Sequence, residues 1–489
     1  MAPHTANDIP PRLLMWQRVR EYAVPPSMIE TATARRTAGD WAGACAAAKI
    51  DVDLDLRAVR HRHGTDFVSR LRADLRRLSP DLLRWHMPRI APDGLLRPGL
   101  TLTLARYGTH GTSALELVVR TPPVWADAGQ RMSLTLWEGP VRDTPRRHPH
   151  PHPDRRFRLD LHRHLWDVTR CGELARRCGA HGAARTTPFG PLPELGRPGT
   201  FEVPWAVGRW APEAELLLRA EGRSRGAFTV RLDSRSRVVL ELAAPDDSHV
   251  PALRPLREPL RAQEAAALPV LPEAASRVLP DLELLRAGLV PAGRLHPLVA
   301  AALPAPSGST SEAVTAARTS DPHQVECRGQ THRIALRDGV LTAVDHDPAQ
   351  LRREELLVAL GGPALPCLRA VDAVHREPEA LPAVRERLRH GDVTGALAVV
   401  EGLLGRAAVL RDGPLRDELQ SAAARRIDHG LFRSGLVAVH PAAPTAEGGT
   451  AQGGGRGDAG HRPRFDRRMP PAMRSKRAAQ GRTRTRVAR

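Results

Sequence analysis

The spacing of apolar side chains changes twice along this chain. Phe67, Leu71, Leu75 and Leu78 recur at the interval of one helix face, with arginines filling the positions between them. Ser79-Pro80-Asp81 then supplies a cap and a proline at a first helical position, leading into Leu82, Leu83 and Trp85. Upstream, Ser27 or Thr31 can cap a segment ending near Gly39, and Asp40 can start another through Ala48. Residues 12–90 therefore read as a helical region. The period then drops to two. Leu100, Leu102 and Leu104 alternate with threonines; Leu115-Leu117-Val119 and Met132-Leu134-Leu136 repeat the pattern. After a His/Pro/Arg-rich loop at 142–156, Phe157, Leu159 and Leu161 alternate again, followed later by Phe228-Val230-Leu232 and Val238-Leu240. Residues 95–244 predict a largely antiparallel sheet, broken near 162–200 by a short helix and loops. One face should meet water, because Thr, Glu, Arg and Asp occupy many alternate positions.

Beyond 244 the signals become local. Ten prolines fall between Pro251 and Pro306, with room for short helices between them, and Ala305–His323 has the Ser/Thr/Ala/Pro composition of a linker. Residues 245–325 read as a proline-rich connector. The best-specified stretch follows, within 326–440. His332–Arg337 and Val340–Val344 flank Asp338-Gly339, the pair that a two-residue type I′ hairpin turn requires. Asp347, Pro348 and Gln350 then offer a cap, a first-position proline and a capping box. Gly361-Gly362-Pro363 ends that helix, since glycine supplies a left-handed cap and proline forbids continuation. The fold class expected is α+β: helices, a central antiparallel sheet, a connector, then a hairpin followed by helices.

Charge changes the picture at one end. Twelve Lys+Arg face three Asp+Glu from Ala442 to Arg489, which leaves +10 of the formal +19 for the rest. With its glycine clusters, 441–489 reads as a disordered basic tail. Arg462, Arg464, Arg467, Arg468, Arg474, Lys476, Arg477, Arg482, Arg484 and Arg486 could hold phosphates non-specifically and in a salt-dependent way. Aromatic residues are 3% of the chain, which disfavours a base-stacking surface. Lysine occurs only at 49 and 476 and asparagine only at 7, the bias of a high-GC, bacterial genome. Five scattered cysteines are no disulfide framework and point to a reducing cytoplasm. Neither a signal peptide at the N-terminus nor an apolar run of membrane-spanning length is expected.

Candidate chemistry is sparse. Gly39-Asp-Trp-Ala-Gly-Ala44 is echoed by Gly391-Asp-Val-Thr-Gly-Ala396, each placed where one helix ends and the next is capped by aspartate. The second string continues Leu397–Leu404 and resembles the second helix of a tetratricopeptide hairpin, with Gly391, Asp392 and Ala396 at the turn and close-packing positions. That resemblance implies protein or peptide binding. The histidines and cysteines of 148–181 (His148, His150, His152, His162, His164, Cys171, Cys178, His181) are the candidate metal ligands; Cys171 and Cys178, seven apart, would share a helix face across two turns. Asp51, Asp53 and Asp55 could present carboxylates to Ca²⁺ or Mg²⁺, but Leu56 stands where a calcium loop needs glycine. Asp345-His346-Asp347 could orient a histidine base, although Asp347 has a capping role. No phosphate-cradling G-x-x-x-x-G-K-[ST], H-E-x-x-H or G-x-S-x-G string occurs. The sequence thus predicts a non-enzymatic, cofactor-free protein that binds another protein, as an accessory subunit of a larger complex. Nucleic-acid association through the tail is the alternative, and a metal-dependent enzyme built on 148–181 the second alternative.

Overall fold

The computed structural model describes residues 9–108, 115–139, 152–180, 204–233, 236–243, 252–256, 260–304, 323–435 and 484–487. They form an α+β protein that divides into two compact units. The first contains the described residues up to Asp127, Arg131 to 304, 432–435 and 484–487; the second contains Ala128–Gln130 and 323–431.

In the first unit the sheet is shared with the helical region. Strand β1 (Ile50–Asp53) comes from within that region and pairs in parallel with β6 (Met132–Trp137). Antiparallel neighbours β5 (Leu115–Arg120) and β4 (Thr101–Tyr107) complete the order β1-β6-β5-β4. A two-residue ladder of β2 (Arg89–Ile90) and β3 (Leu95–Leu96) precedes them. The expected solvated face is not found on β4 and β5, which are buried on both sides. Their polar residues satisfy one another instead: Thr103 donates to Glu116 Oε2 at 2.6 Å, and Arg106 Nε donates to Glu116 Oε1 at 3.0 Å. Such pairing lets a carboxylate sit in a sheet interior without an unmet desolvation cost.

The alternation at Phe157–Leu161 does not make a strand. The segment 154–160 runs alongside β4 in parallel, with backbone bonds to Thr101 and Thr103 around a single bridge, while Arg158 turns back on Asp160 (2.8 Å). A second sheet of β7 (Gly226–Arg231), β8 (Ser236–Ala243) and β9 (Ala252–Pro255) is separate from the first, so 95–244 holds two sheets rather than one. The apolar face of β7 and β8 packs with Trp210, Leu217 and Leu218 of the helix Trp210–Ala220. Part of the described proline-rich stretch is core. Proline at a first helical position starts Pro280–Arg286 and Pro297–Ala302, and Leu282, Leu284 and Val299 join the cluster containing Leu71, Leu83 and Trp85. Of the basic tail, β13 (Arg484–Val487) pairs in parallel with β8; Arg462, Arg464, Arg467, Arg468, Arg474, Lys476, Arg477 and Arg482 lie outside the described residues.

The second unit opens with a three-stranded meander, β10 (His323–Cys327), β11 (Gln330–Arg337) and β12 (Val340–Ala343). Asp338 and Gly339 both take positive φ (53° and 76°), as a type I′ turn demands, and Arg328-Gly329 repeats the device between β10 and β11. Asp347 accepts from Ala349 N at the start of Pro348–Ala359, and the Gly362 N–H returns to Leu357 O (2.8 Å) at its end. Both G-D-x-x-G-A strings close helical hairpins with one geometry. Asp40 Oδ1 accepts from Gly43 N (2.8 Å) and Asp392 Oδ1 from Gly395 N (3.0 Å), with Gly39 and Gly391 at φ 78° and 84°. Leu381, Val384, Ala396 and Leu404 form the core beside the second hairpin. No helix among the described residues is long and apolar enough to cross a membrane.

Candidate functional site

The first unit carries an open pocket of ≈ 470 Å³, a size suited to a small-molecule ligand. Trp16, Trp85, Met87, Phe157 and Leu165 supply apolar wall. The polar lining is one-sided: seven arginines and two histidines stand against a single carboxylate, Glu273. Three of these arginines are committed elsewhere. Arg20 makes a bidentate pair with Asp281 (2.8 and 2.8 Å), Arg156 pairs with Asp154, and Arg158 with Asp160 and Glu221. The remaining four make contacts of other kinds. Arg97 reaches Glu273 only at 3.5 Å, and Arg209 reaches Glu213 only at 3.8 Å. Arg277 lies on the Trp205 ring at 3.4 Å. Arg89 donates to the main-chain carbonyls of Arg84 (2.9 Å) and Gly94 (3.5 Å). Burial first, then Arg84 and Arg20, push the Arg89 guanidinium well below its ordinary pKa. A buried guanidinium such as Arg89, with carbonyls and further arginines around it, favours an anion beside it.

The histidines and thiol in this wall are poorly suited to proton transfer or attack. Burial pushes His86 down to about 3, and pushes His164 down too, with His162 and Arg177 adding to the effect. Both rings are neutral near pH 7. Burial raises the Cys178 thiol, so thiolate, the nucleophilic form, is disfavoured. A buried Ser79, Asp81 and His296 group also lies in this unit. There Ser79 donates to Asp81 (2.8 Å) and His296 Nε2 lies 3.0 Å from Asp81, while His296 Nδ1 accepts from Leu298 N. The serine faces the carboxylate rather than the imidazole, so the nucleophile–base contact of a hydrolase is not formed.

Among the described residues, the sequence-predicted metal ligands are not brought together. Cys171 Sγ bonds to Val168 O and Cys178 Sγ to Ala175 O. His162 is taken by Glu213 (3.1 Å) and Arg158 O, and no metal-ligand group forms at 148–181 among the described residues. His148, His150 and His181 lie outside the described residues. Asp51 pairs with Arg131, and Asp55 caps the helix Leu56–His63 through Arg57 N and Ala58 N, so these carboxylates serve charge balance and capping. Asp345 pairs with Arg333 (3.0 Å) and Asp347 caps its helix, which leaves His346 without the carboxylate that a catalytic histidine needs. Arg70, Arg72, Arg76 and Arg77 form the exposed face of Thr65–Arg77, whose other face is core.

A different group converges in the second unit. Cys327, His346 and Cys367 are all buried, and their ligand atoms lie within 4.8 Å of one another. The His332 ring stacks on His346 with centroids 4.0 Å apart and planes 20° from parallel. Near this meander the surface is apolar along one helix: Leu356 and Leu357 are 62% and 52% exposed, and Leu360 just beyond the helix end is 85% exposed. No protein-family model matches this chain, and neither the curated proteins nor the solved structures contain a match to it.

Proposed function

We propose that the first unit is a binding module for a small anionic ligand, such as a phosphorylated or carboxylated metabolite. The observation that carries this reading is Arg89 in the pocket wall, bonded to main-chain carbonyls and flanked by Arg84 and Arg20, beside Arg97 and Arg209 with carboxylate contacts at 3.5 and 3.8 Å. Guanidinium groups match carboxylate and phosphate oxygens in a bidentate fork, and the tryptophan and leucine wall would take the apolar part of the ligand. With neutral imidazoles and a protonated thiol beside it, the bound molecule is held rather than transformed. The test is thermal unfolding followed by tryptophan fluorescence with phosphate, pyrophosphate, a dicarboxylate and a neutral sugar. A saturable rise with one of the anions, absent with the sugar and lost in Arg97→Ala, is expected. No saturable rise with any anion, or one unchanged in Arg97→Ala, refutes the reading.

A second reading concerns the second unit. The Leu356, Leu357 and Leu360 surface favours docking of a partner protein, in keeping with an accessory role in a complex. Tagged protein would retain a stoichiometric partner after nuclease treatment, and Leu356→Glu with Leu360→Glu would release it. Retention unaffected by that double substitution removes this surface from the interface.

A further inference from the structure

Cys327 closes β10 immediately before the Arg328-Gly329 turn, and Cys367 is the second residue of the helix Pro366–Arg376. His346 sits in the turn after β12, its N–H returning to Ala343 O (3.3 Å). Three elements from different parts of the second unit thus deliver two thiols and an imidazole to one point. Leu351, Leu365 and Ala343 pack around the sulfurs, so water is kept from the group. His346 Nε2 and His332 Nδ1 are both buried without a hydrogen-bond partner. An unmet polar atom in such surroundings is costly to bury, and two adjacent imidazoles bearing one each could turn those nitrogens to a cation.

We infer that Cys327, His346 and Cys367 bind a Zn²⁺ ion, with His332 as the fourth ligand after its ring swings away from the stack on His346. Two soft thiolates and two imidazoles form a Cys₂His₂ set, which selects zinc in tetrahedral geometry. With Zn–S of about 2.3 Å and Zn–N of about 2.0–2.1 Å, the ligand atoms of such a site lie roughly 3.5–3.8 Å apart. Cys327, His346 and Cys367 need therefore close by only about 1 Å from their present spacing. Binding breaks two S–H bonds, forms two Zn–S and two Zn–N bonds, and releases two protons to solvent. A full shell of protein ligands leaves no open position for water, so the ion is structural. It ties the meander, the turn before the helix Pro348–Ala359 and the helix Pro366–Arg376 together.

The experiment is metal analysis of the full chain purified without chelators, with cobalt reconstitution as a second readout. One zinc per chain is expected, falling below a tenth of an equivalent in Cys327→Ser and Cys367→Ser and unchanged in Cys171→Ser and Cys178→Ser. His332→Ala should weaken zinc at least tenfold in chelator competition. Should the cysteine variants fail to fold, cobalt in the unmodified chain still decides: thiolate-to-metal charge-transfer absorption and intense tetrahedral visible bands support the site. A protein that takes up neither zinc nor cobalt, or one carrying a Cys327–Cys367 disulfide on non-reducing mass analysis, overturns it. Unchanged zinc affinity in His332→Ala overturns the fourth ligand.

Discussion

Asp281 offers the sharpest test of how the first unit holds its pocket. Its side chain is inaccessible, and it accepts from Arg20 Nε and Nη2 (2.8 Å each) and from Trp85 Nε1 (3.1 Å). The Arg20 guanidinium lies over the rings of Trp16 and Trp85, 5.0 and 4.5 Å from their centroids, and its Nη1 donates to Trp85 O. Replacing Asp281 by alanine leaves this cation buried without a counter-charge. Breaking one half of a buried pair costs about 3–5 kcal/mol, whereas an exposed pair is worth about 0–1 kcal/mol. Asp281→Asn keeps an acceptor for Trp85 and loses only the charge, so it should fall between these. Removing both partners in Arg20→Met/Asp281→Leu should cost less than Asp281→Ala alone, because no unpaired charge remains. All eight tryptophans precede Ala211 and belong to the first unit, so urea unfolding followed by their fluorescence reports that unit alone. A loss under about 1 kcal/mol for Asp281→Ala, the value of a surface pair, would refute the reasoning. So would a double variant as damaged as the sum of the two singles.

Other outcomes follow from the same structure. Gly395→Ala should destabilise the second unit even though alanine usually improves a helix interior by about 0.5–1 kcal/mol. The added Cβ would fall on the Asp392 carboxylate and displace a cap worth about 1 kcal/mol; a rise in the far-UV melting temperature would contradict this. The first unit should lose stability as pH falls from the ordinary histidine range. His86 is held down to about 3 chiefly by burial, so between about 6.5 and 3 the unfolded chain binds a proton that the folded one refuses. His86→Gln should flatten that slope, measured as the urea midpoint at pH 7.5 and pH 5. Chelation of zinc should lower helix content while leaving tryptophan emission unchanged, since the second unit has no tryptophan.

Much of the local structure was legible. The Asp338-Gly339 turn, the Asp347 and Pro348 helix start and the two G-D-x-x-G-A hairpins rest on contacts no more than a few residues long, and each forms as its residues require. The alternation at 157–161 misled because the segment turns on itself through bonds such as Phe157 N to Asp154 O and Leu161 N to Arg158 O, leaving one parallel bridge to β4. The solvated sheet face misled because polar side chains were taken as wet, whereas Glu116, Thr103 and Arg106 satisfy each other. The metal alternative at 148–181 rested on density of His and Cys along the chain, and among the described residues no ligand group forms there.

What the chain's order of residues determined alone is the class of the fold, α+β, and the positions of its turns and caps. These depend on φ preferences and hydrogen bonds within a few residues, which every copy of the same string satisfies alike. Only the tertiary structure decided the chemistry. Cys327, His346 and Cys367 stand nineteen and twenty-one positions apart, and Arg20 meets Asp281 across 261 positions. Whether such groups meet depends on strand register and core packing, where many weak contacts sum to one arrangement that no short window of sequence contains.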